Sequence, residues 1–146
     1  MSFGPIHIDH IGIAARNLDD ASTFWNLIGL NQRAEDETVE DQGVTTRFFS
    51  TSPTTSESMS KPALVELLEP TSEDTPIGRF LAKKGPGVQQ ICFRVGDLEG
   101  LIAHLMANEI VMIDEEPRMG AGGKRIAFVH PKSTGGVLVE LTENPR

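Results

Sequence analysis

The chain has 146 residues, 38% of them apolar, and a formal net charge of −8 at neutral pH. Such a length and composition bury a real core in one domain or two small fused units, and the acidic balance argues against a non-specific nucleic-acid binder. No apolar run approaches the roughly 18 residues of a membrane span, and the opening MSFGPIHIDH lacks a basic segment followed by an apolar one, so the expected compartment is the cytoplasm.

The first apolar segment, Ile8-Asp9-His10-Ile11-Gly12-Ile13-Ala14, reads as a strand. Side chains alternate across a strand, so Ile8, His10, Gly12 and Ala14 share one face. A helix follows: Asn17 is its predicted N-cap, and Ala21, Phe24, Trp25 and Ile28 recur at helical spacing in LDDASTFWNLIGL. Next come a strand-like run, VTTRFFST at 44–51, and a stretch rich in Ser, Thr and Pro at 51–62 that reads as an exposed hairpin loop. Leu64-Val65-Glu66-Leu67-Leu68 then forms a strand with Leu64, Glu66 and Leu68 on one face. Thr75 as N-cap, Pro76 at the first helical position and Gly85 just past the end define a short helix at about 75–85.

Beyond that helix the chain repeats itself. Val88-Gln89-Gln90-Ile91-Cys92-Phe93 lies over Ile8 to Ile13 at an offset of 80, with Asp97 over Asn17 as the N-cap. Leu98, Leu101, Ile102 and Leu105 give the second copy its helical stripe, RIAFVHP at 125–131 a strand, and Leu138-Val139-Glu140-Leu141 a last strand over Leu64 to Leu67. The predicted fold is α+β: tandem βαβββ modules, about 6–70 and 87–143, joined by the helix within one domain spanning 1–146.

Each module places one polar side chain among apolar neighbours on its first strand, His10 or Gln90, and one on its last, Glu66 or Glu140. A carboxylate buried without a partner costs several kcal/mol or gives up its charge, so two such glutamates call for a partner. If the copies pair about a pseudo-twofold axis, these four residues converge. Imidazole, amide and carboxylate donors suit a borderline divalent ion such as Co²⁺, Ni²⁺, Mn²⁺, Zn²⁺ or Fe²⁺. Cys92, the single cysteine, sits in an apolar strand and reads as a buried small hydrophobe. Gly120, Gly122 and Gly123 with Lys124 and Arg125 form a flexible basic loop suited to phosphates or a carboxylate, with Arg94, Lys132 and Ser133 as further polar residues of the same kind. His130 reads as structural, and His7 and His104 as surface residues.

IDHIGIAARNLDDASTFW, TPIGRFLAKKGPGVQQICFRV and EEPRMGAGGKRIAFVHPKSTGGVLVEL together resemble the methylmalonyl-CoA epimerases of the vicinal oxygen chelate, or glyoxalase-like, superfamily. The resemblance runs from Ile8 to Leu141 and implies an open curved β-sheet cleft, one divalent metal ion with Co²⁺ foremost, a homodimer, and epimerisation of an acyl-CoA thioester. It implies His10, Glu66, Gln90 and Glu140 as metal ligands, with Glu140 also a catalytic acid/base, and Lys124, Arg125 and Thr46 as substrate-binding residues. Two positions depart from the family pattern. Gln90 stands where the third ligand is normally histidine, and Thr46 stands where some members carry a second catalytic glutamate, with Glu40 and Asp41 as nearby acids. The alternatives are a glyoxalase I type lactoylglutathione lyase and a module that sequesters a ligand without chemistry.

Overall fold

The computed structural model of the protein describes residues 3–51 and 62–143. The predicted hairpin loop at 51–62 therefore falls, apart from Thr51 and Pro62, outside the described residues. The chain divides into two compact units: one runs from His10 to Gln89, and the other combines the N-terminal residues through Asp9 with the chain from Gln90 onward.

In the His10–Gln89 unit, β1 (His7–Ala14) pairs in parallel with β5 (Leu64–Pro70). β4 (Val44–Ser50) runs antiparallel to β5, and its other edge takes two short strands, β2 (Asn31–Gln32) and β3 (Glu37–Val39). Four strands thus follow the helix here, where the repeat predicted three. The additional strand is β2, which is two residues long and carries no apolar alternation to announce it.

α1 (Leu18–Leu27) starts at Asn17, whose Oδ1 accepts the backbone N–H of Asp20 at 2.9 Å, satisfying one of the donors a helix start leaves orphaned. It packs through Leu18, Ala21 and Trp25 onto Phe49 and Leu67 of the sheet. The predicted stripe is corrected at two positions: Phe24 and Ile28 are 58% and 55% exposed, while Ser22 is buried. The sheet-facing stripe is Leu18 and Ser22, both buried, with Ala21 and Trp25 partly buried, and the polar Ser22 meets its hydrogen-bonding needs internally. Its hydroxyl donates to Leu18 O at 2.6 Å and accepts from Arg47 at 2.9 Å. α2 (Pro76–Lys84) begins under the Thr75 cap, whose hydroxyl accepts from the Gly78 N–H, and ends at Gly85 with φ +76°, a conformation glycine adopts without a Cβ clash. Its buried face is Ile77 and Leu81.

The second unit repeats the plan. β6 (Gly87–Arg94) lies parallel to β9 (Leu138–Glu143), and β9 is followed outward by β8 (Arg125–Val129) and β7 (Arg118–Met119), both antiparallel to their neighbours. α3 (Leu98–Ala107) is capped by Asp97, which accepts from the Gly100 N–H at 2.9 Å. It buries Leu98, Leu101 and Ile102 against Val95, Ala127, Val129 and Leu141. Each such fully buried leucine contributes about 1.5–3 kcal/mol relative to exposure. Among the described residues no helix is long and apolar enough to cross a membrane.

Candidate active site

In the His10–Gln89 unit the parallel ladder sets Gly12 opposite Glu66 and His10 opposite Leu64. Paired residues project to the same side of a sheet, which puts the imidazole and the Glu66 carboxylate on one face. His10 Nε2 lies 3.1 Å from Glu66 Oε1, and the ring meets Phe48 edge-on with centroids 5.4 Å apart. In the other unit Cys92 lies opposite Glu140 and Gln90 opposite Leu138, so Gln90 and Glu140 likewise share a face. Gln90 Nε2 donates to Glu140 Oε1 at 3.4 Å. His10, Glu66, Gln90 and Glu140 are 6%, 3%, 6% and 6% exposed. Each unit therefore holds one buried pair, a carboxylate with an imidazole or with an amide, at the positions the repeat predicts. Each pair thus joins a carboxylate to an imidazole or an amide, N and O donors of the kind a borderline divalent cation takes.

Thr46 is buried on β4, its hydroxyl donating to Glu37 O at 3.4 Å. Cys92 is fully buried, as predicted. The basic loop divides its two cations. Lys124 Nζ lies 3.5 Å from Asp9 Oδ1, which Arg94 Nη1 also approaches at 3.0 Å. Arg125 is taken up by Glu143 and Glu99, and Glu143 further accepts the backbone N–H of Leu98 at 2.8 Å. His130 is structural: its Nδ1 accepts the Lys132 N–H at 3.1 Å. His7 and His104 are exposed. Glu40 and Asp41 lie in a 3₁₀ turn, Glu40–Gln42, beyond the end of β3 and not on its ladder.

Three buried or partly buried groups were not anticipated from the sequence. Asp9 and Glu143 are buried acids whose signal was a polar residue on the face opposite a predicted ligand, one position from His10 and three from Glu140. The third is the fork of Arg47 onto Asp36, with both bonds at 2.7 Å. Arg47 holds the Asp36 carboxyl below its ordinary value of 3.8 chiefly through these hydrogen bonds, and the arginine is raised in turn. Their separation by 11 residues hides the pair from a local reading.

A family model for the glyoxalase/bleomycin resistance protein/dioxygenase superfamily matches residues 9–128. The chain is 41% identical over 137 residues to the uncharacterised protein YqjC of Bacillus subtilis, covering 93% of this chain and 91% of that one. It is 36% identical over 140 residues to the ethylmalonyl-CoA/methylmalonyl-CoA epimerase of Cereibacter sphaeroides, covering 93% and 96%. A variant of the Streptomyces coelicolor methylmalonyl-CoA epimerase, solved in complex with 2-nitronate-propionyl-CoA, is 37% identical with a TM-score of 0.86 over 94% of each chain. The fold and the family match thus define a glyoxalase-superfamily protein of α+β class. Within that superfamily the chain belongs to the methylmalonyl-CoA epimerases, a family of isomerases.

Proposed function

We propose that the protein interconverts the (R) and (S) forms of methylmalonyl-CoA, or of a close 2-alkylmalonyl-CoA, through a thioester enolate stabilised by one divalent ion. The observation that carries this reading is the pair of buried donor sets, His10 with Glu66 and Gln90 with Glu140, at matching repeat positions in a chain 36% identical to an epimerase of that name. The four side chains are the ion's ligands in this reading; an imidazole among oxygen donors suits a borderline cation, and the resemblance to the family puts Co²⁺ foremost. Bound there, the ion supplies Lewis-acid stabilisation of the charge that develops when the carbon between thioester and carboxylate loses its proton.

Glu140 is the acid/base for one face of that carbon. It takes the proton as a carboxylate and returns one as the acid, work that typically contributes 10²–10⁴-fold. Lys124, beside Asp9 on the glycine-rich loop, meets an anionic group of the substrate, and Thr46 lines the site with its buried hydroxyl. Arg125, committed to Glu143 and Glu99, serves by fixing the strand that follows the loop. Gln90 keeps an oxygen donor where an imidazole would bind a soft-leaning ion more strongly, so it retunes metal affinity and leaves the chemistry in place.

Protein loaded with Co²⁺ and given (R)-methylmalonyl-CoA in D₂O is expected to incorporate α-deuterium and form the (S) isomer, with one metal per chain by elemental analysis. Stoichiometric metal without deuterium incorporation would defeat the epimerase reading. Turnover without metal would defeat its metal dependence.

A further inference from the structure

Epimerisation requires a proton-transfer group on each side of a planar enolate, and Glu140 supplies one. The identity of the second rests on the epimerase reading and follows from the strand register of the His10–Gln89 unit. Gly12 lies opposite Glu66, Leu68 opposite Thr46, and Thr46 opposite Glu37. Since paired residues project to the same side and alternate residues share a face, His10, Glu66, Thr46 and Glu37 all stand on one face. The remaining acids of these strands point to the other: Asp9 is next to His10 on β1, and Glu69 pairs with Thr45. Among the described strand residues of this unit, Glu66 and Glu37 are therefore the carboxylates on the His10 face.

We propose that Glu37 is the second catalytic acid/base. Its strand lies two spacings from β5, about 10 Å, on the face along which a substrate held by the divalent ion would lie. Its position is fixed from three sides. Asp36 before it is gripped by Arg47, the Thr38 hydroxyl after it lies 2.9 Å from that of Thr45, and its own carbonyl accepts the Thr46 hydroxyl. In one direction Glu140 takes the α-proton, the C–H electron pair passes into the enolate, and protonated Glu37 donates a proton to the opposite face to form the new C–H bond. In the other direction the roles exchange. Glu37 is exposed, so its proton is replaced from solvent between turnovers.

The test gives (R)- and (S)-methylmalonyl-CoA separately, in D₂O, to Co²⁺-loaded wild type, Glu37→Gln, and Glu37→Gln combined with Thr46→Glu. Both isomer interconversion and α-deuterium incorporation are followed, alongside metal content and circular dichroism. Glu37→Gln is expected to slow interconversion about 100-fold, while one isomer still incorporates deuterium at close to the wild-type rate through Glu140. Thr46→Glu, which places a carboxylate on the neighbouring strand of the same face, restores part of the interconversion. Interconversion by Glu37→Gln within threefold of wild type overturns the assignment, as does equal loss of exchange from both isomers with metal and fold intact. A wild type that neither exchanges nor interconverts overturns the epimerase reading itself, and is told apart by the wild-type control alone.

Discussion

Replacing Arg47 by alanine tests whether the strand carrying Glu37 is held as described. The guanidinium donates two bonds of 2.7 Å to Asp36, one of 2.9 Å to Ser22, and lies 3.0 Å from Asp19. Asp19 is 87% exposed at its side chain, so that contact contributes close to nothing. Hydrogen bonds to charged groups contribute about 1.5–3 kcal/mol each, but Asp36 keeps 32% of its side chain in water, which lowers each to about 1 kcal/mol after solvent screening. Ser22 retains its bond to Leu18 O and adds little. The expected loss is about 2 kcal/mol, or about 4–8 °C in Tm for a chain of this size, read by urea unfolding and calorimetry. The sign of its pH dependence follows from Asp36, whose folded pKa is depressed below 3.8 by the Arg47 hydrogen bonds. A depressed carboxyl contributes stability that is fully present above its unfolded value and is lost as pH falls through the folded one. The gap between wild type and Arg47→Ala is therefore constant from about pH 5 to 7 and narrows below about pH 4. A loss under about 0.5 kcal/mol at neutral pH, or a gap that widens in acid, would refute the reasoning.

Glu140→Gln keeps the shape of the side chain and removes its proton chemistry; turnover is expected to fall about 100-fold or more, checked by isomer interconversion at fixed metal loading. Gln90→His replaces an amide by an imidazole, and isothermal titration should show tighter binding of Zn²⁺ or Co²⁺, with Mn²⁺ changed least. Leu67→Ala empties a position with no exposure between α1 and its sheet, and denaturant unfolding should record a loss of about 3–5 kcal/mol. Gly43→Ala should destabilise by about 1–3 kcal/mol, since φ there is +64° and an added Cβ would meet Thr75 Cγ2 at 2.4 Å; a thermal melt unchanged within error would contradict this.

The two predicted faces and their polar residues were legible because a strand period of two and a helix period of 3.6 are local properties, and because duplication lets one copy check the other. His10 and Glu66 are buried together, as are Gln90 and Glu140, at the positions the repeat alignment picked out. The caps Asn17, Thr75 and Asp97 were equally legible, since each acts on a backbone N–H three residues on. The stripe of α1 was misjudged at Phe24 and Ile28 because apolar spacing marks a helix without saying which side meets the sheet. A serine that bonds back to Leu18 and accepts from Arg47 decided the matter.

What the sequence determined by itself is therefore the three helices and the longer strands, their capping and the four polar positions, all consequences of chemistry within about ten residues or of comparison between copies. The two- and three-residue strands β2, β3 and β7 were not among them. Only the tertiary structure decided partners chosen across the chain: Arg125 given to Glu143 and Glu99, Asp9 to Arg94 and Lys124, and Glu37 set opposite Thr46. The register between β3 and β4 depends on how a 3₁₀ turn ending at Gly43 returns the chain, and one residue of slip would have moved Glu37 to the far face.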